Sequence, residues 1–303
     1  MSTLALTIGA ALALAGAPEP HTVAPVPAIG SDAEIIRTLT DRDQRMTVPV
    51  RINQNQNGGD TFRFVIDTGS QTTVLARDIA VRMALRPGRR ARVVGIGGSE
   101  MAETAIVGEM GLGRRSFSDL EVLLFESHHI GADGIVGIDS LQRQRVLLDF
   151  AANQLTVGDA RSLGGNRGFD IVVTARRKLG QLIMTDAVID GIAVNVVIDT
   201  GAQTSVGNRA LQRALRQRAV TEHATLTSVT GHQIQADIAY PQKLSIGAFD
   251  ISRLMVAYVD SPVFSVLELD RRPALLLGMR ELRLFKRVAV DFAARKVYFD
   301  LPS

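Results

Sequence analysis

The chain has 303 residues, of which 46% are hydrophobic and 21% charged, a composition typical of a folded protein rather than a disordered one. It contains no cysteine, which excludes disulfides, thiol catalysis, thiolate metal sites and a lipoprotein anchor. Its 34 basic residues nearly balance 31 acidic ones, Trp is absent and Tyr occurs three times, so we expect no nucleic-acid partner.

The N-terminal region has the pattern of an export signal. Residues 4–15 form an apolar run rich in Ala and Leu that ends in Ala-Leu-Ala, a small-x-small cleavage pattern, before a Pro-rich stretch. We therefore predict a signal peptide at residues 1–15 and a periplasmic or secreted protein, although no Lys or Arg precedes the run. The run is too short for a stable membrane span. A cytosolic protein with an unstructured tail is the alternative.

Residues 16–45 are predicted to form an N-terminal linker. Within it, residues 31–45 have the pattern of a short helix, and the sequence leaves open whether this helix is a prosegment or part of the fold. From residue 46 onward, short β-rich runs alternate with turns, and the chain contains 27 Gly and 10 Pro. This pattern indicates a mostly β protein.

The first half of the β-rich region is organised around the tripeptide Asp-Thr-Gly at residues 67–69, which follows an apolar run and precedes Ser-Gln-Thr. Helical spacing comes next, at residues 73–85. A Gly-rich turn lies at residues 95–98, and an apolar-apolar-Gly turn ends at Gly137. A hairpin pattern at residues 146–152 closes this half.

The second half repeats these features in the same order. Asp-Thr-Gly recurs at residues 199–201, again after an apolar run, and is followed by Ala-Gln-Thr. Helical spacing at residues 205–219, a Gly-bearing turn at 229–232, an apolar-apolar-Gly turn ending at Gly278 and a hairpin pattern at 288–294 complete the set. Such an ordered repeat indicates duplication of one unit.

The repeat predicts two lobes of similar length, at residues 46–158 and 179–303, joined by a linker at residues 159–178 that contains Gly and Arg. We predict an all-β fold of two lobes related by a pseudo-two-fold axis, with a short helix after each Asp-Thr-Gly loop. Two β domains that share ancestry without any chemistry are the alternative. The repeat is sharpest around the Asp-Thr-Gly turns rather than in the core strands, which favours a functional role for those turns.

Two carboxylates brought together across a pseudo-two-fold axis suit amide hydrolysis by an activated water. Because they cannot both ionise cheaply, they share one proton. The ionised member takes a proton from water while the protonated member donates to the carbonyl oxygen. A single Asp in this context is more simply a turn residue capped by its own Thr. The repeated flanks favour the catalytic interpretation for Asp67 and Asp199.

At these residues the sequence resembles the aspartic peptidases, and it is most similar to retropepsin-like domains fused in tandem. The resemblance covers residues 47–301 and rests on both Asp-Thr-Gly motifs and both apolar-apolar-Gly turns. Retropepsins usually form a two-lobed site by homodimerisation, whereas pepsin-like enzymes form it within one chain. This chain has the one-chain arrangement with small lobes, and its first flap region is Gly-rich and lacks the Tyr of pepsin-like enzymes. The resemblance implies that each lobe is a β-barrel, and that the protein is a monomeric aspartic endopeptidase that acts on protein or peptide substrates and needs no cofactor or metal.

The resemblance also implies roles for individual residues. Asp67 and Asp199 would form the catalytic dyad, the Thr hydroxyls would cross-link the two loops, and the glycines would permit unusual φ angles and close approach. The residues supporting the active-site loops would be Thr68, Gly69, Ser70, Thr200, Gly201, Ala202, Gly137 and Gly278. The residues of the two flaps, which would hold an extended peptide over the cleft, are Gly95, Ile96, Gly97, Gly98, Val229, Thr230 and Gly231.

Several alternatives stay open at this point. The first flap segment, Gly95 to Gly98, is equally interpretable as an ordinary hairpin turn. A catalytically silent peptide-binding protein would use the same cleft, and an assembly in which each half pairs with its equivalent in another chain would place the dyad between molecules. His128 and His129 are predicted to be loop residues rather than metal ligands, because no carboxylate-helix motif surrounds them.

The two motifs differ chemically at one position, where Ser70 follows the first Asp-Thr-Gly and Ala202 follows the second. We expect the Ser70 hydroxyl to donate a hydrogen bond to Asp67 and to favour its charged form, so that Asp199 holds a proton more readily. The alternative is that both side chains merely pack.

Overall fold

The structure is a computed structural model that describes residues 5–8, 11–14, 34–41, 43–52, 60–141, 144–158, 163, 169–216 and 222–302. The strands that precede the first lobe are β1 (Ala5–Ile8), β2 (Ala11–Leu14), β3 (Glu34–Arg37) and β4 (Leu39–Thr40). The strands of the first lobe are β5 (Met46–Ile52), β6 (Asp60–Ile66), β7 (Val74–Ala76), β8 (Arg86–Pro87), β9 (Ala91–Gly95), β10 (Gly98–Ala102), β11 (Thr104–Leu112), β12 (Arg115–Phe125), β13 (Gly134–Val136), β14 (Arg145–Asp149) and β15 (Gln154–Gly158).

The remaining strands are β16 (Ile171–Lys178), β17 (Gln181–Ile189), β18 (Ile192–Ile198), β19 (Ser205–Asn208), β20 (Glu222–Ser228), β21 (Gln233–Ala239), β22 (Lys243–Ile246), β23 (Phe249–Ser252), β24 (Val256–Val259), β25 (Ala274–Leu277), β26 (Arg287–Asp291) and β27 (Lys296–Asp300). The helices are short: α1 (Arg77–Arg82), α2 (Ser127–Ile130), α3 (Arg209–Ala214), α4 (Pro262–Val266) and α5 (Met279–Leu282), with a 3-10 turn at Ile138–Ser140. Among the described residues, no helix has the length and apolar character needed to cross a bilayer.

The first lobe is a closed barrel of six strands, β5, β6, β13, β7, β12 and β11. The ring closes because β11 pairs with β12 on one side and with β5 on the other. Alternation along β5 explains its position, since Val48, Val50 and Ile52 are buried while Pro49 and Arg51 are exposed. The apolar core of the lobe therefore lies inside the barrel.

One strand, β13, holds the loop that contains residues 67–73. It runs parallel to β6, with Val136 opposite Ile66, and antiparallel to β7, which begins at Val74. The chain thus leaves β6 on one side of β13, forms the loop, and continues as β7 on the other side of β13. Each side of the loop is fixed by a ladder of backbone hydrogen bonds.

The second lobe repeats this arrangement with broken strands. Its sheet has the order β20-β21-β24-β19-β25-β18-β17-β16, and β22 pairs with both β17 and β23. Each long strand of the β11/β12 hairpin in the first lobe corresponds to two shorter strands here, β21 and β22 for β11 and β23 and β24 for β12. One break contains Pro241, which has no N–H to donate to a ladder, and the other contains Arg253, whose φ is 57°. The all-β, two-lobed fold predicted from the repeat is confirmed.

The lobes share an antiparallel sheet of six strands, in the order β3-β15-β14-β26-β27-β16. Each lobe contributes its closing hairpin, and the two hairpins meet where Arg145 on β14 lies opposite Asp291 on β26. The Arg145 Nη2 lies 2.9 Å from Asp291 Oδ2, and both side chains are 1% exposed. A buried, paired and hydrogen-bonded charge of this kind fixes the register between the lobes.

Two segments differ from the sequence prediction. The short helix predicted at residues 31–45 is wrong, because β3 and β4 lie there and β3 pairs with β15 at the edge of the shared sheet. The predicted linker at 159–178 ends in a strand, since β16 pairs with both β17 and β27. In both cases pairing with a distant strand overrides the local pattern. Residues 159–162 and 164–168 of that linker lie outside the described residues.

The helices after the loops are present but shorter than predicted. Helical spacing indicated residues 73–85 and 205–219, whereas α1 and α3 each contain six residues. The residues before each helix instead form β7 and β19, which pair with β13 and β25 respectively. Residues 217–221 lie outside the described residues.

The predicted signal segment also contains two strands. β1 pairs in parallel with β20, and β2 pairs antiparallel with β9. These partners belong to the two hairpins predicted as flaps. In the uncleaved chain this segment therefore extends both hairpin sheets.

Candidate active site

Asp67 follows β6 and is held by backbone groups on both sides. Its N–H donates to the Val136 carbonyl at 3.1 Å, and its Oδ1 accepts the N–H groups of Gly69 at 2.7 Å and Ser70 at 3.0 Å. A carboxylate that accepts amides two and three residues ahead is a local turn feature. The tripeptide sequence thus determines the orientation of the Asp67 carboxyl within its own loop.

The second loop has the same geometry. The Asp199 N–H donates to the Leu277 carbonyl at 3.0 Å, and Asp199 Oδ1 accepts the N–H groups of Gly201 and Ala202, each at 3.1 Å. Each aspartate has the same three backbone partners, a carbonyl on the adjacent strand and the amides two and three residues ahead. The pseudo-symmetry inferred from the repeat therefore reaches the level of individual hydrogen bonds.

Thr68 and Thr200 join the two loops. The Thr68 hydroxyl donates to the Ile198 carbonyl at 2.7 Å, and the Thr200 hydroxyl donates to the Ile66 carbonyl at the same distance. Each backbone N–H donates in turn to the opposite hydroxyl, at 3.0 Å from Thr68 and 3.3 Å from Thr200. This reciprocal set of buried bonds holds the two aspartates at a fixed separation.

The two carboxyl groups are in contact and fully buried. Asp67 and Asp199 are each 0% exposed, and their side chains hydrogen-bond to each other. Gly69 lies directly against the pair, because a Cβ built on it would lie 2.8 Å from Asp199 Oδ1 and 3.1 Å from Asp67 Oδ1. Within the described chain, the Oδ2 atoms of both aspartates accept no hydrogen bond from another residue.

Burial of the pair raises both pKa values. Desolvation raises the pKa of Asp67 to about 7, against the opposing effects of the Gly69 and Ser70 amides and the positive charge of Arg45. Desolvation, followed by the charge of Asp67, raises the pKa of Asp199 well above its usual range. The proton belongs to the pair rather than to either residue. The pair therefore retains a shared proton through mildly acidic and neutral pH.

Close packing, rather than unusual backbone angles, explains the glycines of the site. Neither Gly69 nor Gly201 is among the glycines with positive φ, so the predicted need for unusual φ at these positions is wrong. Gly137 and Gly278 lie against the loops as expected. A Cβ at Gly137 would lie 2.6 Å from the Thr72 carbonyl carbon, and one at Gly278 would lie 2.7 Å from that of Thr204.

The Ser70 hydroxyl does not bond to the dyad in the way expected. It donates to the Thr72 carbonyl at 2.8 Å, while Asp67 receives the Ser70 backbone N–H. Ala202 supplies the same backbone bond to Asp199. The two carboxyls therefore accept equivalent backbone hydrogen bonds. The expected effect of the Ser70 hydroxyl on Asp67 is wrong, because this hydroxyl donates to the Thr72 carbonyl instead.

Both predicted flap segments form hairpin turns. Residues Gly95, Ile96, Gly97 and Gly98 connect β9 to β10, with Gly95 paired to Gly98. The second turn connects β20 to β21 and contains Val229, Thr230 and Gly231; the φ of Gly231 is +82°, an angle that favours glycine.

The two turns meet each other. Ile96 is fully buried in an apolar cluster that also contains Ala202 and Leu226 of the second lobe. A Cβ at Gly97 would lie 2.8 Å from His232 Cβ, and His232 Nε2 lies 3.6 Å from Glu100 Oε2. The two hairpin turns therefore contact each other in a closed arrangement.

Two residues near the site were missed by the sequence reasoning. Gln181, 2% exposed on β17, donates its side-chain amide to the Gly69 carbonyl across the lobe interface. Arg45 is fully buried, donates to the Ile130 carbonyl at 2.8 Å and lowers the pKa of Asp67 through its charge. Arg45 immediately precedes β5 and Gln181 begins β17, and these two strands pair with the aspartate-bearing strands β6 and β18. The internal repeat could have indicated that these two positions are equivalent, but an Arg in one lobe and a Gln in the other conceal the relationship.

His128 and His129 lie on α2 rather than in a loop, so their predicted loop placement is wrong because residues 127–130 form one helical turn. His129 lies against the turn between β20 and β21, because a Cβ at Gly231 would clash with its imidazole ring. Desolvation lowers the pKa of His129. Across the described residues, no group of His, Asp and Glu side chains has an arrangement that could hold a metal ion.

Comparison with known proteins gave one family. The sequence model of a family described as aspartyl protease matches the chain twice, at residues 48–140 and 185–280. Each match contains one Asp-Thr-Gly loop, one hairpin turn and one apolar-apolar-Gly turn. The comparison with curated proteins gave no match.

Proposed function

Because the chain belongs to the aspartyl protease family, we propose that it is an aspartic endopeptidase in which Asp67 and Asp199 form the catalytic dyad. The observation that carries the proposal is the contact between two buried carboxyls, each fixed through Oδ1 by its own loop. Their Oδ2 atoms stay available to a water and to the carbonyl of a peptide.

The proposed mechanism uses the shared proton. The ionised carboxyl takes a proton from a water that attacks the peptide carbonyl, and the protonated carboxyl donates to the carbonyl oxygen. The C–N bond of the resulting gem-diol then breaks as the amide nitrogen takes a proton from one carboxyl and a hydroxyl of the gem-diol gives a proton to the other, so the dyad again holds one proton. The Thr68 and Thr200 bonds hold the carboxyls in reacting geometry throughout.

Substrate entry requires the hairpins to separate. In the closed arrangement the dyad is 0% exposed and Ile96 is buried in the second lobe. Separation breaks the contacts between the turn at Gly97 and His232. We propose that these hairpins act as flaps, which open for an extended peptide and then pair with its backbone.

A catalytically silent peptide-binding protein is the alternative. Such a protein would keep the cleft and the flaps but would have no reason to keep two carboxyls in contact at high desolvation cost. Both aspartates and the complete set of loop hydrogen bonds are present. These features support hydrolysis over binding alone.

We also propose that one chain provides the complete site, and that it acts in the periplasm or outside the cell. The first part rests on both loops meeting within this chain. The second part rests on the apolar N-terminal run and its Ala-Leu-Ala pattern. Gel filtration combined with activity tests the first part, because a one-chain enzyme is active at the mass of a monomer.

A peptide-library digest tests the proposed activity. Wild type should cleave internal peptide bonds, and Asp67→Asn should cleave none while retaining its fold. Asp186→Asn, which neutralises an exposed carboxylate on the same protein, serves as the matched control and should cleave like wild type. Equal cleavage by wild type and Asp67→Asn would overturn the dyad, and binding without cleavage by wild type would favour the silent peptide-binding alternative.

A further inference from the structure

A carboxyl group lies behind each of the two active-site loops, half-buried in the first lobe and buried in the second. In the first lobe it belongs to Asp139, in the 3-10 turn after β13, and in the second it belongs to Glu281, on α5 after β25. Glu281 is 3% exposed. Neither group has a part in the mechanism proposed above, and their surroundings differ.

The first-lobe carboxylate is well supplied with donors. Asp139 Oδ1 accepts the Thr73 hydroxyl and the Ser140 N–H, each at 2.7 Å, and its Oδ2 accepts the Thr73 N–H at 2.9 Å. The Thr73 hydroxyl oxygen in turn accepts the Gly137 N–H at 3.2 Å. Three donors compensate the charged form of Asp139 directly.

The second-lobe carboxyl is linked to its loop through one hydroxyl. The Ser205 hydroxyl donates to Glu281 Oε2 at 2.6 Å and accepts the Gly278 N–H at 3.0 Å. Ser205 stands in the same place as Thr73, at the start of the strand that leaves the loop. The chain of contacts Glu281–Ser205–Gly278 therefore corresponds to Asp139–Thr73–Gly137, with fewer donors reaching the carboxyl.

Gly278 connects this chain to Asp199. The residue before it, Leu277, accepts the Asp199 N–H at 3.0 Å, and the residue after it, Met279, donates to the Ala202 carbonyl at 2.8 Å. Gly278 itself packs against the carbonyl group of Thr204. A displacement of Gly278 must therefore displace the loop that carries Asp199.

We propose that Glu281 is a positioning residue for Asp199, acting through the Ser205 hydroxyl and the Gly278 amide, and that ionisation of Glu281 loosens the Asp199 loop. The role in catalysis rests on the proposed function, whereas the effect on the loop does not. Desolvation raises the pKa of Asp139 as well, but three hydrogen bonds oppose this shift. The device is therefore assigned to the second aspartate.

The charges around Glu281 support this proposal. Desolvation raises the pKa of Glu281 to about 7, and the Ser205 hydroxyl, the charge of Arg280 and the backbone amides of Glu281 and Ser205 oppose this shift only in part. β19 and β25, which flank the site, contain no ionisable residue. Arg283, which follows the last residue of α5, donates to the Gln44 carbonyl and the Thr40 hydroxyl. Glu281 thus changes charge near neutral pH with little compensation.

Hydrogen exchange of the Gly278 amide tests the effect on the loop directly. In wild type, the protection factor of this amide should fall on the order of tenfold between about pH 6 and about pH 8, because each unit of pH rise below the raised pKa of Glu281 favours opening of the loop about tenfold and the effect levels off above that pKa. Glu281→Gln, which keeps the shape and fixes the neutral form, should show no such fall. Glu268→Gln removes an exposed carboxylate and should behave like wild type.

The pH profile of peptide cleavage tests the effect on catalysis. If ionisation of both the dyad and Glu281 lowers activity, a plot of log(kcat/KM) against pH should fall at high pH with a slope of about −2 in wild type. In Glu281→Gln, where only the dyad ionises, the slope should be about −1. A role limited to stability would not change this slope. Identical slopes in the two proteins would overturn the catalytic part of the proposal.

Further variants keep the test decisive if Glu281→Gln does not fold. Ser205→Ala breaks the link and should lower Gly278 protection at every pH, and Ser205→Thr, the residue type of the first lobe, should restore it. Wild-type protection in Ser205→Ala would overturn the proposal. A chain that cleaves no peptide but shows the Glu281-dependent change at Gly278 would contradict the proposed protease activity and support the loop device.

Discussion

Thr68 and Thr200 donate hydrogen bonds to each other's lobes with matching geometry, each hydroxyl reaching at 2.7 Å the carbonyl just before the opposite aspartate. Because both threonines are 2% exposed, water does not replace these bonds if one is lost. The separation of the two carboxyls therefore depends on a pair of side chains that never touch the substrate.

Replacing one threonine should weaken both the fold and the activity. Thr68→Val keeps the volume but removes the donor to Ile198 and the acceptor for the Thr200 N–H. We expect a loss of about 1–3 kcal/mol in unfolding free energy, since buried polar groups are left unpaired. Denaturant titration and kcat measure the two effects. Thr185→Val, at an exposed position, is the control and should change neither.

The two aspartates should act as one unit. Asp67→Asn and Asp199→Asn should each abolish cleavage, and the double variant should be no less active than either, because one shared proton serves both chemical roles. Turnover numbers for the three variants decide this. A single variant with near-normal turnover would contradict the mechanism.

The stability of the protein should fall as the pH rises from about 4 towards 7. The pKa of Asp67 is raised to about 7 in the folded state, above its ordinary value, so the folded state binds more protons than the unfolded state in this range. The associated stability is fully present below the unfolded pKa and is lost as the pH passes through the folded pKa.

Denaturant midpoints measured across this range test the prediction. Asp199→Asn removes one ionisable group from the buried pair, so the denaturant midpoint of this variant should change less with pH than that of wild type. Glu281→Gln should remove a separate part of the slope, since the pKa of Glu281 is also raised to about 7. A wild-type midpoint that rises over this interval would contradict the raised pKa values.

Gly69 should not tolerate a side chain. A Cβ at this position would lie 2.8 Å from Asp199 Oδ1, so Gly69→Ala must push the carboxyls apart. We expect loss of cleavage together with a lower melting temperature. Gly191→Ala is a matched control, because its Cβ would meet no atom within 4 Å although its φ is +83°. The control should cost about 1 kcal/mol through backbone strain and leave cleavage intact.

Removal of the N-terminal segment should loosen the flaps. If residues 1–15 are a signal peptide, exported protein begins at or near residue 16 and lacks β1 and β2, the strands that pair with β20 and β9. N-terminal sequencing of secreted or envelope protein measures the first point. Amide exchange in β9 should be faster in the chain that begins at residue 16. Recovery of the intact N-terminus from the cytosol alone would contradict export.

The sequence by itself determined the chemistry of the two loops. Each Asp-Thr-Gly tripeptide directs its carboxyl towards its own following amides, so Asp67 and Asp199 were identifiable without any distant contact. The repeat then predicted that the two loops meet, and the two hairpin turns followed from their glycines. These are local features, and local features are what a motif and its spacing encode.

Only the tertiary structure decided which distant groups reach those loops. β3 and β16 became strands because the shared sheet offered each an edge to pair with, which no pattern within residues 31–45 or 159–178 indicates. The Ser70 hydroxyl bonds to Thr72 rather than to Asp67, and Glu281 lies behind Asp199 through Ser205. Such choices depend on the separation of atoms that are far apart in the chain, and those separations are set when the barrels close and the lobes pack together.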